Sequence, residues 1–182
     1  KMKVRIKKEI VSMGLENIEP ENITGELIDP DEWDRLVSRD DILIIDTRNI
    51  YEHSIGAFKG ATLAKTSSFR EFPEWADNNL PKEKNKQIAM YCTGGIRCEK
   101  ASSYLINKGY KNVYQLSGGI LKYLEERKET KSNWKGECFV FDYRVSLEHE
   151  LKKGNYDMCH ACRMPISEKD KSDLVASTKT II

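Results

Sequence analysis

Gln87-Ile88-Ala89-Met90-Tyr91-Cys92-Thr93-Gly94-Gly95-Ile96-Arg97-Cys98 is the stretch that decides how this chain is built. A short apolar run ends directly on a cysteine, and two glycines and an arginine follow it. Such a run has the length of a strand buried in a parallel sheet. Beyond it, Ala101, Tyr104 and Leu105 share one helical face and Gly109 stops the pattern, which predicts a helix over Glu99–Lys108. Nucleophilic sulfur chemistry needs the thiolate rather than the thiol. Gly94 and Gly95 allow successive N–H groups to turn inward, the helix start near Cys98 adds the positive end of its dipole, and Arg97 adds a fixed charge. Cys92 is therefore the candidate catalytic residue, in an active-site loop of Thr93, Gly94, Gly95, Ile96 and Arg97. Four residues separate Cys92 from Arg97, one fewer than in cysteine phosphatase loops, so the cradle suits a sulfur atom or small adduct better than a phosphate. Cys98 is either a resolving thiol for an oxidised Cys92 or a helix-start residue packed on the sheet.

Outward from this loop, strands and helices alternate. Asp29-Pro30-Asp31-Glu32 has the marks of a helix start, with a capping aspartate, a proline in the first turn and a glutamate three residues after the cap. Ile42–Ile45 predicts a buried strand and Ala61–Ala64 a short second one. Ser68–Asn79 predicts a helix restarted at Pro73, Val113–Leu116 another strand, and Gly118-Gly119 the opening of a further helix. The expectation is an open, mainly parallel α/β sheet flanked by helices, with reactive loops at the carboxyl ends of its strands. Lys3–Val11 predicts a strand, and Asn17–Leu27 a linker or irregular segment. The character changes after Lys131, where Cys138-Phe139-Val140-Phe141 and the pair Cys159 and Cys162 follow. Three regions are expected: residues 1–23 as the end of a truncated N-terminal domain with its linker, 24–130 as the α/β domain, and 131–182 as a cysteine-containing extension.

Composition narrows the class. Charged residues make up 32% and the net charge is +1, which predicts a soluble chain with no membrane span and sets no strong expectation of nucleic acid. The five cysteines, without an export signal, favour a reducing compartment and the cytoplasm over a disulfide framework. A chain that begins Lys1-Met2 is expected to be a fragment or to carry an expression remnant.

Ile44-Ile45-Asp46-Thr47-Arg48 with Tyr51-Glu52-His53-Ser54-Ile55-Gly56-Ala57-Phe58-Lys59-Gly60-Ala61, the Cys92 loop, and Leu116-Ser117-Gly118-Gly119-Ile120 resemble the ordered signatures of the rhodanese superfamily. More narrowly, Val4–Val11, Tyr91–Ser102, Cys138–Asp142 and Cys159-His160-Ala161-Cys162-Arg163 are similar to segments of the bacterial rhodanese-like tRNA uridine hydroxylases. The resemblance implies a rhodanese-like fold and hydroxylation of the tRNA wobble uridine to 5-hydroxyuridine. It also implies molecular oxygen as co-substrate, tRNA as partner and Cys92 as the active residue. No flavin or haem motif is present. Members usually carry a small domain before the rhodanese domain and a second cysteine pair after the first; this chain retains only the exit of the former, and residues 163–182 hold no cysteine.

Cys159 and Cys162 are either an unmetallated cysteine pair, the favoured reading for this chain, or half of a structural zinc site to which Cys138, His149 and His160 could contribute and which a longer chain would complete. Asp46 and Arg48 are expected beside the Cys92 loop, shaping it through an ion pair that holds the corner. Glu52 and His53 are either general bases or members of a solvated helix face. Lys3, Arg5, Lys7 and Lys8, then Lys82, Lys84 and Lys86, then Arg127, Lys128, Lys131 and Lys135 are candidates for phosphate contacts or, since most are interleaved with acids, ordinary solvated surface. Trp75, Tyr91 and Trp134 are candidates for base stacking or for core packing. The first functional expectation is a tRNA-modifying oxidoreductase. A sulfurtransferase working through a Cys92 persulfide comes second, and a non-catalytic binding module third.

Overall fold

The structure, a computed structural model, describes residues 9–15 and 18–179, with side chains through residue 173. Most of the strand expected at Lys3–Val11, with Lys3, Arg5, Lys7 and Lys8, lies outside the described residues. The elements are β1 (Glu26–Ile28), α1 (Pro30–Val37), β2 (Ile42–Asp46), α2 (Ile50–Ser54), β3 (Gly56–Phe58), β4 (Thr62–Leu63), α3 (Phe72–Asn79), β5 (Gln87–Tyr91) and α4 (Ile96–Asn107). They continue with β6 (Asn112–Leu116), α5 (Gly119–Glu126), β7 (Trp134–Gly136), β8 (Cys138–Phe139), β9 (Ser146–Leu147), β10 (Asp157–Met158), β11 (Pro165–Ile166) and α6 (Glu168–Lys179).

Five strands pair in the order β1-β6-β5-β2-β4, all parallel, which is the open sheet expected. Its central strands are apolar because both faces are covered. Phe72, Ala76, Ala101 and Leu105 of α3 and α4 cover Ile45, Ile88 and Met90 on one face. On the other, Trp33, Leu36, Ile120 and Leu124 of α1 and α5 cover Ile44, Ala89 and Tyr91. Helix α1 begins as its sequence predicts, Asp29 accepting from the Glu32 amide at 2.8 Å.

Three local expectations change. Edge strand β1 takes Glu26 and Leu27 from the end of the stretch expected to be irregular and adds Ile28; only Ile28 is buried there, so no apolar run announces it. Helix α4 starts at Ile96, not Glu99, because Gly95 at φ +93° lets the loop run straight into the first turn. Ser68–Asn79 becomes a 3-10 turn at Phe69–Glu71 followed by α3, with Pro73 in the first turn of the helix.

Strand β3 leaves the main sheet and pairs antiparallel with β7. This carries Phe58 into a cluster of edge-to-face rings, 5.4 Å from Trp33, 4.8 Å from Tyr91, 4.7 Å from Tyr123 and 5.1 Å from Trp134 between centroids. Trp134 and Cys138 are buried in the same core layer as α1 and α5. The β8–β9 hairpin is tied down by Glu137, which accepts from Ser146 Oγ at 2.6 Å and from the Asn155 amide at 2.9 Å. Among the described residues, no helix is long and apolar enough to cross a membrane.

Candidate functional site

Strands β2 and β5 are parallel neighbours with Asp46 opposite Tyr91, so their carboxyl ends deliver Thr47-Arg48 and Cys92-Thr93 side by side. The Thr47 amide and hydroxyl both donate to the Tyr91 carbonyl, at 3.1 and 3.0 Å, and hold the two ends together. Helix α5 closes the site from a third side. Its first amides, on Ile120 and Leu121, donate to the carbonyls of Cys92 and Thr93 at 3.0 and 3.1 Å. Gly119 sits at φ +65°, and a Cβ there would lie 2.6 Å from the Cys92 oxygen. That explains Gly119: the helix start presses directly on the loop.

Cys92 Sγ accepts from the Gly95 amide at 3.1 Å. The neighbouring Cys98 thiol does most to lower its pKa. Burial opposes this, and the Arg97 charge with the amides of Cys98 and Arg97 completes a shift to about 6. Cys98 moves the other way, well above the usual thiol range, through its own burial and the Cys92 anion beside it. Of the loop amides, that of Gly95 is the one directed at the sulfur, and the surroundings as a whole favour its anionic form. Cys92 is only 2% exposed, yet it borders a cavity of ≈ 510 Å³ also lined by Asn49, Ser68, Phe69, Gly94, Arg97 and Phe141.

Arg97 does not point its hydrogen bonds at the sulfur. Its two terminal nitrogens donate to the two oxygens of Glu52, each at 2.7 Å, and one also approaches Thr93 Oγ1 at 3.4 Å. Glu52, a candidate for a solvated helix face, is instead fully buried. It accepts from the Asn49 amide at 3.0 Å and the Thr93 hydroxyl at 3.3 Å. The spacing Asn49-x-x-Glu52 is a capping-box pattern, the one sequence signal that Glu52 turns inward.

Below the loop, Asp46 and Arg48 form a fully buried pair at 2.7 Å. Asp46 also accepts from Tyr91 Oη at 2.9 Å and contacts His53 Nδ1 at 2.8 Å. Burial alone would raise the Asp46 pKa; the Arg48 charge and the hydrogen bonds of His53 and Arg48 outweigh it and hold it at about 2. Arg48 further donates to the Glu52 and Gly56 carbonyls at 3.1 and 2.6 Å and lies 5.1 Å from the Trp134 ring. One buried guanidinium thereby joins the β2 corner, α2, β3 and β7.

Cys159 and Cys162 lie in the turn between β10 and β11, where the Arg163 amide donates to the Cys159 carbonyl at 2.9 Å. Among the described residues, no group of three or more His, Cys, Asp or Glu is placed to hold a metal ion. Cys138, considered as a further ligand, is buried in the core instead. Tyr91 and Trp134 are packed inside, and Trp75 leans on Phe72. Arg127 pairs with Asp31 and Asp34, and Lys84 lies over Tyr110 at 3.7 Å. Lys82, Lys128, Lys131 and Lys135 are exposed or half-buried, as is Lys86. The exposed aromatic side chain beside Cys92 is Phe141, which apolar patterning places simply in a compact run.

The family model for the rhodanese-like domain matches residues 29–126. Among solved structures, the rhodanese-like domain of the Anabaena protein Alr3790 is 20% identical, covering 62% of this chain and 80% of that one with a TM-score of 0.50. A rhodanese-like domain protein from Staphylococcus aureus is 26% identical over 54% of this chain and 90% of that one, with a TM-score of 0.45. A Rhodopseudomonas palustris protein of unknown function, described as a possible tyrosine phosphatase, is 23% identical over 68% of this chain and 94% of that one, with a TM-score of 0.49.

Proposed function

Because this chain belongs to the rhodanese-like domain family, we propose that it is a cysteine enzyme acting through the Cys92 thiolate. The reaction we assign to it is oxygen-dependent hydroxylation of the tRNA wobble uridine to 5-hydroxyuridine. The observation that carries the cysteine chemistry is the Gly95 amide held 3.1 Å from Cys92 Sγ at the wall of a cavity. Support for the uridine substrate comes from the resemblance of Tyr91–Ser102, Cys138–Asp142 and Cys159–Arg163 to the tRNA uridine hydroxylases. Two of those segments meet at one place, since Cys92 and Phe141 border the same cavity. In this reading Cys92 is the reactive sulfur and Cys98 is the neighbouring thiol that favours its anion. Glu52 holds Arg97 against the loop, while Asp46 and Arg48 keep the corner beneath rigid.

The size of the loop favours one second reading, sulfur transfer. The Cys92 thiolate would attack the outer sulfur of thiosulfate, break its S–S bond and release sulfite, and then pass that sulfur from its persulfide to a thiol or cyanide. Phosphate transfer fits poorly, because both forks of Arg97 are engaged by Glu52 and a phosphate would need them. A purely structural module fits poorly too, since burying an inert thiol calls for no such cradle.

Modified-nucleoside analysis of tRNA from cells lacking the gene separates the two chemistries. Loss of 5-hydroxyuridine derivatives with thiolated uridine intact is the expected result; the reverse pattern would select the sulfur carrier. Complementation with Cys92→Ser should not restore the modification that was lost.

A further inference from the structure

The β8–β9 hairpin turns at residues 140–145 and carries Phe141 and Tyr143 outward, 69% and 104% exposed. Among the described residues these are the two aromatic side chains most open to solvent. The turn that presents them is built firmly. The Val140 amide donates to Val145 at 2.8 Å, the Val145 amide to Asp142 at 3.1 Å, and Arg144 grips the Asp142 carboxylate with Nε at 3.1 Å and Nη2 at 2.6 Å. Val145 sits at φ +66°, a strained setting for a β-branched residue that the surrounding contacts must enforce. The edge of Phe139, itself buried, meets Phe141 at 5.1 Å and 86° between rings. One side of Phe141 is therefore anchored and the other left to water.

Position gives this exposure meaning. Phe141 borders the cavity that holds Cys92, and it also borders a cleft of ≈ 1100 Å³ containing Tyr143, Met158, His160 and Arg163. The acids of that cleft are answered within the chain, Asp142 by Arg144 and Asp157 by Lys171. Arg163 forms no ion pair among the described residues and so remains the cation of the cleft. An open ring next to a reactive centre, with an unengaged guanidinium beyond it, is complementary to a flat base and the phosphate attached to it. A purely apolar ligand would leave Arg163 unanswered, and a duplex has no splayed base to offer the ring.

We propose that Phe141, with Tyr143 beside it, is the platform on which an unstacked base of single-stranded RNA rests as it faces Cys92, and that Arg163 contacts the flanking phosphate. This rests on the tRNA reading above and adds the residues by which the RNA is recognised.

The test uses the full chain and a fluorescently labelled anticodon stem–loop RNA with uridine at the wobble position, followed by anisotropy. Loss of one stacked base should weaken binding of Phe141→Ala roughly tenfold, while Phe141→Trp binds as wild type does. Arg163→Gln should reduce the salt slope of log affinity by about 0.7, one phosphate contact on a single strand. Cys92 in Phe141→Ala should retain at least the wild-type rate of alkylation by iodoacetamide, which reports an intact loop. Unchanged affinity in Phe141→Ala overturns the platform and leaves the tRNA reading standing. No RNA affinity in the wild type, with Cys92 alkylated normally, overturns both. Should Phe141→Ala lose alkylation as well, Phe141→Trp decides: wild-type RNA affinity supports the platform, and absent affinity with normal alkylation refutes it.

Discussion

At the scale of the residue, two sulfurs in one pocket have been driven in opposite directions. Cys92 collects donors and falls to about 6, while Cys98, buried and facing an anion, rises. A thiol with a lowered pKa reacts as thiolate above that value and loses reactivity as pH falls through it. The alkylation rate of Cys92 should therefore reach half its maximum near pH 6. In Cys98→Ala the midpoint should move upward, because the strongest single contribution is removed; an unmoved midpoint would show that the amides and Arg97 suffice. Glu52 makes a different kind of prediction. Replacing it by Gln leaves the Arg97 guanidinium 11% exposed and without its carboxylate, which should cost about 3 kcal/mol in denaturant unfolding. A loss below about 1 kcal/mol would place the pair among surface ion pairs, which are worth little. The sequence showed Cys92, the loop and the ion pair of Asp46 with Arg48, since the partners in each lie close together along the chain. It hid the burial of Glu52, whose partner is 45 residues away.

At the scale of the element, the Cys92 loop is shaped by what it touches. Helix α5 places Gly119 so near the loop that any side chain would meet the Cys92 and Thr93 carbonyls, at 2.6 and 2.7 Å. A Cβ at Gly94 would meet nothing within 4 Å, and the backbone there has no positive φ. Gly119→Ala should thus destabilise the fold by roughly 2 kcal/mol or more, combining left-handed strain with a backbone clash. It should also raise the alkylation midpoint of Cys92. Gly94→Ala should change stability by less than about 1 kcal/mol. Equal effects of the two substitutions, by thermal unfolding and iodoacetamide kinetics, would contradict this account of Gly119 and Gly94. Elements whose signals are local were legible beforehand: the Asp29 cap of α1, the apolar runs of β2 and β5, and the glycine stop of α4. Strands β1, β3 and β7 were not, because each is short and takes its register from a distant partner.

At the scale of the whole molecule, the chain beyond residue 130 does more than follow the α/β domain. Trp134 is 1% exposed, with Phe58 and Tyr91 against its ring and Arg48 at 5.1 Å. Trp134→Ala should cost about 3–5 kcal/mol. A chain ended at residue 130 should lose the same ring, strip β3 of its only strand partner among the described residues, and melt well below the full chain. A truncated protein with unchanged melting temperature and Cys92 reactivity would show that residues 24–130 stand alone. The same region supplies Phe141, so the core and the rim of the candidate site both draw on it.

By itself the order of residues pointed to a parallel α/β sheet and to the loop from Cys92 to Arg97 as the candidate site. The signals for each lie within a dozen positions, where strand periodicity, glycine conformation and helix starts operate. Only the folded chain decided that Arg97 answers to Glu52, that Trp134 completes the aromatic core, and that Phe141 stands open beside the sulfur. Those outcomes come from contacts between residues far apart in the chain, set by how helices and strands pack, and no local pattern encodes them.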